Sequence, residues 1–150
     1  MADEGYIRNL RETLQARSTA EEERTRKENR DTEIIKAEAV KFWISLKAWL
    51  VKATSELNQG LADDLVTYSA NGSPDTIKLR CNIGQDRSDL KVTFFNLFGG
   101  QISAVGEGFE AKFRCEIEGR NTYWVDEADR LDKPTLEEMG KRILNAAVKA

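Results

Sequence analysis

The sequence predicts an α+β fold: a long N-terminal helix, an antiparallel β-meander of about five to six strands, and a C-terminal helix packed on the same sheet face. Three observations carry this. Between Tyr6 and Gln59 there is neither glycine nor proline, the two residues that most often interrupt a helix. From Gly60 onward the chain holds nine of its ten glycines and both prolines, set between short alternating runs. After Pro134 helical spacing returns.

The N-terminal third reads as an arm. Ile7, Leu10 and Leu14 fall at helical spacing beside Tyr6, but from Arg17 to Glu33 the only apolar residue is Ala20. Such a stretch covers no core. Its helix rests on charge pairs: Glu22–Arg26 and Glu23–Lys27 are i,i+4 pairs in the favourable order, each worth roughly 0.2–0.5 kcal/mol. Ser18 with Glu21, or Thr19 with Glu22, is a candidate capping box, which places a break near Ser18 between a short helix and a long one. Residues 1–33 are expected to form a charged helical or partly disordered arm, and 34–150 a single α+β domain.

Residues 34–57 form the strongest helix. At 100° per residue, Ile35, Ala39, Phe42, Trp43, Leu46, Trp49, Leu50, Ala53 and Leu57 lie within an arc of about 120°, as wide as a core-facing helix needs. A second seam, Val40, Ile44, Ala48 and Val51, lies roughly 150° away. Columns of lysine separate the two, Lys36 and Lys47 on one side and Lys41 and Lys52 on the other. Asn58-Gln59-Gly60 is a stop signal with Gly60 placed as a left-handed cap.

Short strands follow. Leu65–Ser69 runs into the turn cluster Asn71–Asp75. In Thr76–Ile83 the apolar Ile77, Leu79, Cys81 and Ile83 alternate with polar residues. Leu90–Leu97 mixes its faces. Gly99-Gly100 reads as a hairpin turn into Gln101–Val105, and Gly106-Glu107-Gly108 as a turn into Phe109–Glu118, where alternation is unbroken. Gly119-Arg120-Asn121 leads to Thr122–Val125. Period-2 alternation with tight turns means an antiparallel meander with one buried and one wet face. No helical pattern interrupts it, so parallel βαβ units and the nucleotide-binding folds built from them are excluded. The final helix opens on a capping box, Thr135 with Glu138, and Leu136, Met139, Ile143 and Ala147 line one side. Five strands about 4.8 Å apart make a sheet about 20–25 Å wide, room for two helices on one face.

Composition narrows the function. The chain has 150 residues, 40% apolar and 33% charged, with Lys+Arg 23 against Asp+Glu 26 for a net charge of −3. A strongly basic nucleic-acid binder is not expected. There is no histidine, which removes His-based triads, His-ligated zinc and haem, and imidazole proton relays. Two cysteines, Cys81 and Cys115, are too few for a disulfide scaffold and sit on the apolar faces of their strands. The longest apolar-rich run, Val40 to Val51, contains Lys41 and Lys47, and no membrane insertion is expected. A cytoplasmic protein with reduced thiols is the expectation.

No catalytic motif, metal site or cofactor site is recognisable, so a non-enzymatic interaction module is expected, homodimeric and bound to a protein partner. Its interface residues are Ile7, Leu10 and Leu14 on the arm with Val40, Ile44, Ala48 and Val51 on the helix seam. An alternative is an apolar-ligand pocket between the long helix and the sheet, lined by Phe42, Trp43, Trp49, Phe94, Phe109 and Phe113. A third reading is anion or single-stranded nucleic-acid binding on the outer sheet face, where Lys78, Arg80, Lys91, Lys112 and Arg114 point outward with Phe95 and Trp124. The acidic run Asp126, Glu127, Asp129 and Asp132 lacks the spacing of a calcium loop and reads as a solvated turn.

Overall fold

The computed structural model describes residues 3–70, 72–96 and 99–149. Its elements are α1 (Glu4–Asn58), β1 (Val66–Ser69), β2 (Thr76–Ile83), β3 (Asp86–Phe95), β4 (Gly100–Gly106), β5 (Phe109–Glu118), β6 (Asn121–Asp126) and α2 (Leu136–Lys149). The six strands pair antiparallel in chain order, from β1 at one edge to β6 at the other. This is the α+β meander between two helices that the sequence predicts. Within it the chain forms two compact units, Met1–Ile34 and Ile35–Ala150.

The first unit is α-helix, and every described residue up to Arg30 is exposed. The expected break near Ser18 is absent, and α1 is helical through it. Glu21, the acid that would have capped Ser18, pairs instead with Arg24 at 2.5 Å. Arg24 also lies 3.8 Å from Glu28, and Arg26 lies 3.9 Å from Glu22. With Glu21 and Glu22 bridging forward to Arg24 and Arg26, the segment has no competing cap.

In the second unit one face of the sheet carries the core. Ile77, Leu79, Leu90, Val92, Phe94, Ile102, Ala104, Phe113, Cys115 and Trp124 pack against Ala39, Trp43, Leu46 and Leu50 of α1 and Met139, Ile143 and Ala147 of α2. Both helices thus share one face, as expected. Trp43 stacks on Phe94, ring centroids 5.6 Å apart, and its Nε1–H donates to the Pro74 carbonyl at 2.9 Å. Asn58 ends α1 and holds β1: its amide donates to the Val66 carbonyl at 2.7 Å and accepts from the Val66 N–H at 3.2 Å. Thr135 caps α2, its Oγ accepting from the Glu138 N–H at 3.2 Å.

Three details depart from the sequence reading. Trp124 faces the core, not the wet side, because β6 pairs with β5 so that Trp124 lies opposite Cys115. The apolar stripe of α1 closes on buried Thr54, whereas Leu57 is exposed. β3 starts at Asp86, four residues early, because the polar run Asp86–Asp89 pairs with Cys81–Ile83 and Arg80 across a two-residue turn. The expected end of that strand at Leu97 lies outside the described residues.

Gly99-Gly100 does more than turn the chain. A Cβ on Gly100 would stand 2.3 Å from the Ala39 Cβ, so the glycine lets α1 settle onto the sheet. Likewise a Cβ on Gly140 would meet the Trp49 ring at 2.4 Å, which lets α2 close against α1.

Two outcomes are expected. Limited trypsin should cut first at Arg17, Arg24, Arg26, Lys27 or Arg30 and leave a folded fragment starting near residue 31, since exposed helix with few contacts opens at low cost; a first cut within 76–125 would contradict this. Denaturant unfolding of Gly100→Ala should show a loss of about 1–3 kcal/mol from overpacking, partly recovered in the double variant with Ala39→Gly.

Candidate functional site

The second seam of α1 is uncovered. Val40 is 36% exposed, Ile44 57% and Val51 47%, and Ala48 between them is exposed too. Ala37 continues the line one turn earlier and is also exposed. Four lysines edge this strip. Lys41 lies 3.3 Å from Glu38. Lys47 donates to the Pro74 carbonyl at 2.9 Å and sits 5.5 Å from the Trp43 ring centroid. Lys36 and Lys52 have no carboxylate within ion-pair distance among the described residues. In the first unit, Ile7, Leu10 and Leu14 are exposed as well.

The six aromatics read as a ligand pocket are not brought together. Trp43 and Phe94 are stacked in the core. Phe42 lies against Trp124, centroids 4.7 Å apart. Trp49 packs over Gly140. Only Phe109 and Phe113 line a common cavity, an open cleft of about 820 Å³ between the start of β5 and α2, with Ala111, Arg142, Asn145 and Ala146. Most of its polar groups already have partners, Glu107 and Asn145 excepted among the described residues. Arg142 donates to Asp132 at 2.9 Å and lies 3.7 Å from Asp126. That contact holds the Asp132 carboxyl below the usual carboxylate range and pushes Arg142 up. Glu127 accepts from the Gln101 amide at 2.8 Å and pairs with Arg114 at 3.3 Å. Sequence spacing gave no sign of the cleft, which depends on where α2 lands and on β6 reaching only as far as Phe113 of β5.

On the outer sheet face the five cations sit together, largely matched by acids. Arg80 lies opposite Asp89 and donates to it at 2.8 Å, which lowers the Asp89 pKa. Lys112 is 3.5 Å from Glu110, and Arg114 is taken by Glu127. Lys78 and Lys91 stand directly opposite each other on β2 and β3. Phe95 is exposed there, whereas Trp124 is on the other face.

Asp126 and Asp129 cap their own turn, accepting from the N–H groups of Ala128 at 2.9 Å and Leu131 at 3.1 Å. Among the described residues no cluster of Cys, Asp or Glu could hold a metal ion. Among them, too, no helix is long and apolar enough to cross a membrane.

Neither thiol is poised as a nucleophile. Cys81 and Cys115 are free and buried. Burial, with smaller contributions from Glu38 and Glu116, pushes the Cys115 thiol up to about 11. A buried neutral thiol contributes stability that is complete below its unfolded pKa of about 8.5 and is lost as pH rises through about 11. Thiol titration of the native protein should therefore be slow, and Cys115→Ala should flatten the fall in stability between about pH 8.5 and 11. Fast labelling of Cys115 at neutral pH would contradict this.

Compared with known proteins, the chain matches no family model, no curated protein and no solved structure.

Proposed function

We propose that this chain is a non-enzymatic protein-interaction module that packs the seam of α1 against a helix of another polypeptide. The observation that carries the reading is the seam. Four apolar side chains stand in register on the side of α1 turned away from the sheet, where the fold has no use for them. An isolated exposed apolar residue is ordinary, but a contiguous strip about 16 Å long, at 1.5 Å per residue, is how helix-packing surfaces are built. The arm strip Ile7, Leu10 and Leu14 is a second contact of the same kind.

The rival readings rest on less. The cleft between β5 and α2 has an apolar floor, but most of the polar side chains at its edge already pair with one another, which leaves Glu107 and Asn145 to orient a ligand. The outer sheet face pairs three of its five cations internally. Two buried free thiols suit a reducing, cytoplasmic setting.

Native mass spectrometry of protein isolated from its own source tests the proposal. The expected spectrum shows one additional polypeptide, a second copy or another chain. In Val51→Glu, where the added charge would be buried against the bound helix, that polypeptide should be gone and the melting temperature unchanged. Wild-type protein that flies alone would overturn it.

A further inference from the structure

If the seam is a docking surface, as proposed above, its edges specify the helix that docks there. We infer that the occupant is an amphipathic helix of a foreign chain whose apolar stripe is bordered on both sides by acidic residues, and not a second copy of this chain.

The inference starts from angles. Taking Ile44 as the centre of the seam, Lys41 and Lys52 lie about 60–80° to one side and Lys36 and Lys47 about 60–80° to the other. These are the positions that meet a partner's flanks when two helices pack at 8–10 Å. The only acids of α1 within Ile35–Asn58 are Glu38 and Glu56. Both lie about 120° from Ile44, beyond the lysines, and Glu38 is engaged with Lys41. Pairing seams from two copies therefore sets lysine against lysine. An antiparallel twofold pair brings Lys41 and Lys52 against their own mates, and a parallel pair brings them against Lys36 and Lys47. Like charges so placed act against association. The arm of a second copy fares no better, because its strip is flanked by Arg11 and Arg17. A helix with glutamates or aspartates beside its apolar stripe finds four cations in position, two of them, Lys36 and Lys52, without an ion-pair partner among the described residues.

An anionic membrane is the other surface that attracts apolar residues bordered by lysine. The seam is poorly made for it. Helices that lie in a membrane surface present broad, bulky apolar faces. Here the bulky Phe42, Trp43 and Trp49 lie on the core side of α1, and the seam offers valine, isoleucine and alanine. A narrow strip of aliphatic side chains in register suits helix–helix packing.

The test uses the full-length protein and two fluorescent synthetic peptides of about 18 residues, each able to form five helical turns with the same leucine stripe. One is flanked by glutamate, the other by lysine. Fluorescence anisotropy should show the glutamate peptide binding about ten-fold or more tightly than the lysine peptide, weakening as salt is raised. Ile44→Asp should abolish binding, and the double variant Lys36→Glu with Lys52→Glu should remove the preference; circular dichroism confirms that both variants are folded. Equal binding of the two peptides, lost in Ile44→Asp, would overturn the inference while leaving the seam a docking surface. So would a dimer by light scattering that Ile44→Asp dissolves. Binding to vesicles of mixed phosphatidylcholine and phosphatidylserine, with neither peptide bound, would overturn the inference in favour of a membrane. A lone monomer that binds neither peptide nor vesicle would overturn both this inference and the proposed function.

Discussion

A methyl group on Gly100 would collide with the methyl of Ala39, and much of the second unit depends on that glycine having none. The contact sets how deep α1 lies on the sheet. At that depth Trp43 reaches Phe94 and the Pro74 carbonyl, and Leu46 and Leu50 are fully enclosed. Gly140 repeats the device between the helices, admitting the Trp49 ring. Two helices share one sheet face because each glycine leaves room for the side chain that faces it, the Ala39 methyl at Gly100 and the Trp49 ring at Gly140. Once α1 is locked in that rotation, the far side of its circumference is fixed as well, and the seam turns outward.

Most of this fold was legible because burial in it is one-sided. Phe109–Glu118 alternates without error because one face of β5 is packed and the other is wet. The capping box of Thr135 and Glu138 is local and needs no tertiary partner. What was not legible lacks a one-sided pattern. In Tyr123-Trp124-Val125 both faces are apolar, so only the pairing with β5 decides that Trp124 points inward. Thr54 has a polar side chain in a buried position, its hydroxyl without a partner among the described residues, and periodicity in hydrophobicity passes over it. Asp132 and Arg142 are ten residues apart on a loop and a helix, and their pairing follows from the docking of α2. The seam residues and their lysine columns could be placed from spacing alone, but whether another element covered them could not.

Charge distribution separates the two cationic surfaces. On the outer sheet face cation and acid were set side by side by strand register, so Arg80 meets Asp89 and Arg114 meets Glu127. That arrangement stabilises a solvated face and leaves little field beyond it. Along the part of α1 that packs on the sheet the acids are few. Ile35–Asn58 carries four lysines and two glutamates, net +2, in a chain whose net charge is −3. The positive charge is concentrated beside the apolar strip, against the sign of the whole.

A local field opposite in sign to that of the whole molecule orients an encounter. An acidic partner is weakly repelled by the protein as a whole and drawn to a strip where the sign reverses, so approach and docking select the same surface. The apolar strip alone would not achieve this. Burial of four aliphatic side chains supplies affinity without much choice of partner. Selectivity then has to come from what surrounds the strip. Lysine suits that place because its flexible stem extends the apolar surface while its charge stays in water, so the unoccupied seam loses nothing in solubility.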